Sequence, residues 1–190
     1  MKNLLEIRWH GRGGQGAKTA AQFLAEAALG LGKFIQSFPE YGPERAGAPI
    51  RAYTRISDKP ITIHSSVTSP EIVVVIDPTL LESIDVSEGL GSDGILVVNT
   101  HGTVDDVRNK TGYKTGKVAV CDATKIALET LGVAIPNTPM LGALLKVQLI
   151  VPIESIEEEI NKKFLKKIGA EKTDANKKAV RRAFEETKIG

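Results

Sequence analysis

The sequence predicts an α/β fold in three layers, with helices on both sides of a mixed, mostly parallel sheet and a helical C-terminal segment. Three observations carry this. Ile72–Ile76, Ile95–Val98 and Val118–Val120 are short β-branched runs, each followed by a polar residue suited to starting a helix. A strand, a glycine loop and an alanine-rich helix open the chain, and apolar residues recur at helical spacing in its last quarter. With 190 residues, 42% of them hydrophobic, one sizeable core is within reach, and a single domain over 1–190 is expected.

Charge and cysteine content narrow the function classes. Lys and Arg total 25 against 23 Asp and Glu, so a formal charge of +2 supplies no strong field for nucleic acid or a membrane surface. One cysteine, Cys121, excludes an internal disulfide framework and by itself holds neither an iron–sulfur cluster nor a structural zinc. It ends an apolar strand and reads as a small hydrophobe. Met1 to Glu6 lacks the apolar stretch of a signal peptide, and no window approaches the roughly 20 apolar residues of a spanning helix. A cytoplasmic protein is expected.

Taken in order, Leu5–His10 reads as the first strand, and the glycine-rich turn after it leads into a helix from Ala17. Phe34–Phe38 is a second apolar run. Between Ile50 and Ser65 apolar and polar residues alternate around the turn Ser57-Asp58-Lys59-Pro60, which predicts a hairpin with Ile61 and Ile63 on its second strand. The three buried runs follow, with Asp77 before Pro78, Thr103, and Asp122 as helix N-caps. Those caps gather helix starts at the carboxyl ends of the strands, where open α/β sheets bind ligands. Thr138 with Pro139 reads as another capped helix start. From Glu154 to Gly190, 18 of 37 positions are charged, yet Ile153, Ile156, Ile160 and Phe164, then Ala179, Val180, Ala183 and Phe184, keep helical spacing. Two amphipathic helices with solvated, mixed-charge faces are predicted.

Gly11-Arg12-Gly13-Gly14-Gln15-Gly16 carries the G-x-G-x-x-G pattern of a Rossmann-like turn. Glycines admit positive φ and close approach of an anion, and a helix start adds about half a positive charge. Arg12 and Lys18 are candidates for charge compensation, and Gln15 for orienting a bound group or supporting the loop. A conventional dinucleotide site also presents an acidic residue about 20 residues on, and here none occurs before Glu40. The P-loop arrangement is likewise absent. His10, at the mouth of the loop, is the best placed of three scattered histidines, with a structural role as its plainer reading. Trp9 beside it suits core or interface packing better than stacking on an adenine.

A second constellation, Glu40-Tyr41-Gly42-Pro43-Glu44-Arg45-Ala46-Gly47-Ala48-Pro49, puts two carboxylates, a phenol and a guanidinium among turn formers, and a third is Asn137-Thr138-Pro139-Met140-Leu141-Gly142-Ala143. With His10–Gly16 these motifs, spread over nearly the whole chain, resemble the gamma subunits of 2-oxoacid:ferredoxin oxidoreductases, the pyruvate enzymes above all. The resemblance implies one chain of a complex that converts pyruvate and coenzyme A to acetyl-CoA and carbon dioxide and passes electrons to ferredoxin. It places thiamine diphosphate, magnesium and iron–sulfur clusters on partner subunits (alpha, beta and delta), with no metal and no catalytic residue on this chain. Coenzyme A is then expected at Gly11, Arg12, Gly13, Gly14, Gln15, Gly16 and Lys18. Tyr41, Glu44, Arg45, Asn137 and Thr138 are expected to meet partner subunits or to line the active-site mouth. Two alternatives stand beside this: a free-standing nucleotide-binding or NAD-dependent protein, and the same complex acting on another 2-oxoacid.

Overall fold

The computed structural model describes residues 4–41 and 47–190, with Tyr41 described by its backbone alone. Its order is β1 (Leu4–Arg12), α1 (Ala17–Gly30), β2 (Phe34–Tyr41), β3 (Pro49–Ser57), β4 (Ile72–Val75), a 3₁₀ turn (Pro78–Glu82), β5 (Ile95–Asn99), α2 (Val104–Thr111), β6 (Lys117–Cys121), α3 (Ala123–Leu131), α4 (Asn137–Val147), α5 (Ile153–Glu186) and β7 (Lys188–Ile189). One seven-stranded sheet runs β2-β3-β1-β4-β5-β6-β7. β1, β4, β5 and β6 are parallel neighbours, while β3 runs antiparallel between β2 and β1, and β7 antiparallel at the far edge. Five of the seven strands therefore point the same way, as the sequence predicts.

Alternation along each strand divides the core in two. Ile7, Trp9, Ile72, Val74, Ile76 and Val97 pack with residues of α1, α3, α4 and α5, whereas Val73, Val75, Leu96, Val98 and Val120 pack with Leu80, Leu81 and Val107 of the other layer. The helical layer is tightly drawn. A Cβ at Gly142 of α4 would lie 2.0 Å from the Val180 carbonyl oxygen of α5, so only glycine permits this crossing. α5 is interrupted at Gly169, whose φ of 81° and ψ of 169° break the helical path, so the two predicted C-terminal helices exist as two arms. Their charged faces form near-neighbour pairs, such as Arg182 with Glu186, and bridges between elements, such as Lys163 to Glu26.

Three expected helix starts hold. Asp77 accepts from the Thr79 N–H, Asp122 from the Lys125 N–H, and Thr103 with Asp106 forms a reciprocal capping box. Asp77, however, opens a short 3₁₀ turn and not a full helix. Two expectations are corrected. The hairpin over 50–65 does not form: both edges of β3 are occupied by β1 and β2, and Ile61 and Ile63 lie outside any strand. The buried Arg55 guanidinium instead donates to the carbonyl oxygens of Ile63 (3.3 Å) and Ser65 (2.8 Å) and pins that segment as a loop. Thr138 does not cap α4. Pro136 holds the N-cap position, and the buried Thr138 hydroxyl inside the helix donates to Asn176 Oδ1 at 2.9 Å.

Candidate functional site at the glycine loop

The carboxyl ends of β1 and β4 lie side by side, and the glycine loop, the 3₁₀ turn and Gly47–Ala48 converge there. Gly14 and Gly16 have φ of 91° and 81°, which an L side chain rarely adopts. Gly16 is also the N-cap of α1, with no side-chain cap and no acidic residue in the first turn. The starts of α2, α3 and the 3₁₀ turn each carry a capping oxygen. Among the described residues no side chain caps the first amide groups of α1, an arrangement suited to an anion, and its half-positive terminus lies beneath exposed Gly13 and Gly14.

The charged side chains divide their roles. Arg12 is engaged inside the chain: its guanidinium lies 3.3 Å from Asp77 Oδ2 and donates to Thr79 Oγ1 (3.1 Å) and to the Gly47 carbonyl (3.1 Å). Lys18, on the first turn of α1, is exposed. Gln15 supports the backbone, its Oε1 accepting from the Arg12 N–H at 2.8 Å and its Nε2 donating to Asp77 Oδ2 at 2.6 Å. Gly11 sits inside β1, buried, where an added Cβ would press on Ala17 Cβ at 3.2 Å.

Behind the loop the structure adds what the sequence does not display. A cavity of about 640 Å³ opens beside Gly14 and Gly16, walled by Leu131, Ile135, Phe164 and Ile168, with Asn137 and Asn176 among its polar lining. Its size falls within the range usual for small-molecule sites. Asn137 packs directly on the loop, for its amide nitrogen lies 2.5 Å from where a Gly16 Cβ would stand. Asn176, 38 residues from the Thr138 it contacts, carries no sequence signal of this role. Of the second constellation, Glu44 and Arg45 and the side chain of Tyr41 lie outside the described residues.

His10 does not face the loop as an acid or base. It is fully buried, and its Nε2 accepts from Arg8 Nε at 3.0 Å, which puts the ring hydrogen on Nδ1. Burial, with the Arg8 and Arg51 charges, pushes its pKa down to about 3, so the ring is neutral. Trp9 is a core residue whose indole donates to Thr54 Oγ1 at 3.1 Å. Burial likewise pushes the Cys121 thiol up to about 11, the behaviour of an inert hydrophobe. Among the described residues, no group of three His, Cys, Asp or Glu side chains is arranged to hold a metal, and no helix is long and apolar enough to cross a membrane.

Comparison with known proteins places the chain in a family. The family model for pyruvate ferredoxin/flavodoxin oxidoreductase matches residues 6–186. Pyruvate synthase subunit PorC of Thermotoga maritima is 58% identical over 187 residues, covering 98% of this chain and 96% of the relative. The pyruvate/ketoisovalerate oxidoreductases common subunit gamma of Pyrococcus abyssi is 52% identical, with 98% of each chain covered. The crystal structure of the Thermotoga maritima subunit superposes with a TM-score of 0.89 at 54% identity, covering 100% of this chain and 99% of that one. Sequence and fold agree: the chain belongs to the pyruvate ferredoxin/flavodoxin oxidoreductase family.

Proposed function

We propose that this chain is the gamma subunit of a pyruvate:ferredoxin oxidoreductase, a complex that turns pyruvate and coenzyme A into acetyl-CoA and carbon dioxide and hands the electrons to ferredoxin. Identity of 58% along nearly the whole length of a pyruvate synthase subunit carries this reading. The alpha, beta and delta chains are the partners, the chain acts as one domain over 1–190, and the assembly is cytoplasmic. Thiamine diphosphate with magnesium, and the iron–sulfur clusters, belong to those partners, where they supply decarboxylation and electron transfer.

The contribution of this chain is to hold coenzyme A. Amides at the start of α1 with no side-chain cap, Gly13, Gly14 and Gly16 without side chains, and the exposed Lys18 suit a diphosphate. The apolar cavity beside the loop suits a less polar part of the same molecule. Tyr41, Glu44 and Arg45 are assigned to the subunit interface or the active-site mouth, with Asn137 on the cavity wall, whereas fully buried Thr138 serves by holding Asn176 in that wall. The Pyrococcus abyssi relative, named as common to pyruvate and ketoisovalerate oxidoreductases, favours a second reading in which the chain also serves a different 2-oxoacid. Both readings agree on coenzyme A, the reactant such enzymes share.

Co-purification and steady-state kinetics test the proposal. The chain should emerge with a thiamine diphosphate-binding partner, and Gly14→Asp should raise KM for coenzyme A by about tenfold or more while leaving KM for pyruvate unchanged. Gly14→Asn, of the same shape without the charge, controls for backbone strain. Partners without a thiamine diphosphate-binding chain would refute the family role, and an unaltered KM for coenzyme A in Gly14→Asp would refute the loop assignment.

A further inference from the structure

We propose that Asp77 is the positioning residue of the glycine loop: as a pure hydrogen-bond acceptor it fixes the polarity of the chain Arg12 N–H, Gln15, Asp77 that sets the loop's shape for coenzyme A. The inference rests on the reading that this loop holds coenzyme A.

Every contact of this carboxylate receives a donor. Oδ1 accepts from the Thr79 N–H at 2.9 Å and from the Thr79 hydroxyl at 2.6 Å, and Oδ2 accepts from Gln15 Nε2 at 2.6 Å and pairs with Arg12 Nε at 3.3 Å. Gln15 has no freedom to turn its amide over. Its Oε1 faces the Arg12 N–H at 2.8 Å, which only donates, so its NH₂ must face position 77. The side chain at 77 is nearly buried, so an unmet donor there is not repaired by bulk water. Burial alone would raise the Asp77 pKa, but the hydrogen bonds from Thr79 and Gln15 and the Arg12 charge outweigh it and hold the carboxyl below its ordinary range. The network reaches further: Arg12 Nη1 donates to the Gly47 carbonyl at 3.1 Å and the Gly13 N–H to the Ala48 carbonyl at 3.3 Å, so the segment returning to β3 is tied to the same anchor. Arg12 is thereby held as part of the scaffold, and Lys18 is the exposed cation of the first turn.

Reversing the polarity tests this. Asp77→Asn leaves an acceptor for Thr79 but turns an NH₂ toward the Gln15 NH₂, and Gln15→Glu sets two carboxylates against each other. Combining Gln15→Glu with Asp77→Asn restores the chain, because the carboxylate then at position 15 accepts from both the Arg12 N–H and the amide at position 77, while the Arg12 guanidinium keeps its bonds to Thr79 Oγ1 and the Gly47 carbonyl. In the assembled enzyme each single variant should raise KM for coenzyme A about tenfold with kcat at saturation within about twofold, and the double variant should return KM to within about threefold of wild type. Titration calorimetry of coenzyme A on the same complexes should follow the same order. Singles with wild-type KM, or a double variant no better than the worse single, overturn the proposal. If the singles fail to assemble, a double variant that assembles with near wild-type KM supports it, and one that fails as well overturns it. Gly14→Asp separates the two levels: raised KM there with unaltered singles removes the role of Asp77 and keeps the coenzyme A site, whereas unaltered KM in all of them removes both.

Discussion

The two faces of β1 behave as different materials. On one, Ile7 and Trp9 are fully buried among the apolar side chains of the helical layer, where packing and burial supply the stabilisation. On the other, Arg8 and His10 are just as buried but rely on specific polar contacts: Arg8 donates to His10 Nε2, to the Val86 carbonyl at 3.1 Å and to the Glu88 carbonyl, while His10 Nδ1 is left without a partner. Nearby, Arg55 pairs with Glu6 at 2.7 Å while donating to Gln36 and two carbonyl groups. An apolar face needs close packing but no particular partner atom. A buried polar face needs its partners as well, because an abandoned donor or acceptor retains its full desolvation cost.

The comparison can be broken by substitution. Trp9→Ala removes the largest fully buried side chain and should destabilise by about 3–5 kcal/mol, read by urea unfolding of the chain. Arg8→Met preserves much of the volume yet strands three acceptors, and should cost about 2–3 kcal/mol by the same measurement. Adding His10→Leu removes one of those acceptors together with the unpartnered Nδ1, so the double variant should be less destabilised than the sum of the singles by roughly 1 kcal/mol. Strict additivity would show that the polar face is no network.

His10 also sharpens the contrast through pH. Its folded pKa lies near 3 and its ordinary value is 6.5, so the unfolded chain takes up the proton first. Its contribution is fully present above pH 6.5 and is lost as the pH falls from there toward 3, at up to about 1.4 kcal/mol per unit. Stability curves of wild type and His10→Asn should converge in slope above that window and differ by about one proton inside it. The smallest effect belongs to the solvent side: Arg181, half exposed and paired with Glu154 and Glu157, should change stability by less than about 0.5 kcal/mol on replacement by Ala.

The same division explains what was readable in the sequence. β4, β5 and β6 announce themselves because strands covered on both faces are continuous β-branched runs, and the caps Asp77, Thr103 and Asp122 are local signals. The helical breaks and the glycine loop depend on φ, which glycine advertises. Arg8 was not legible as a core residue, since a charged position alternating with Ile7 and Trp9 reads as a solvent-facing one, and its partners lie 78 and 80 residues away. The false hairpin has the same origin. Alternation over 50–63 specifies a strand-like pattern but not its neighbour, and β2 and β1 had already taken both edges of β3. At the site, Asp77 was visible as a cap, whereas its grip on Gln15, 62 residues earlier, and the pairing of Thr138 with Asn176 exist only in three dimensions.

Titration of coenzyme A into the assembled enzyme, comparing wild type with Gly14→Asp and Gly14→Asn, tests the central assignment most directly. The glycine loop as coenzyme A site predicts affinity weakened about tenfold or more by the aspartate and much less by the asparagine. Equal affinity for all three forms would contradict it.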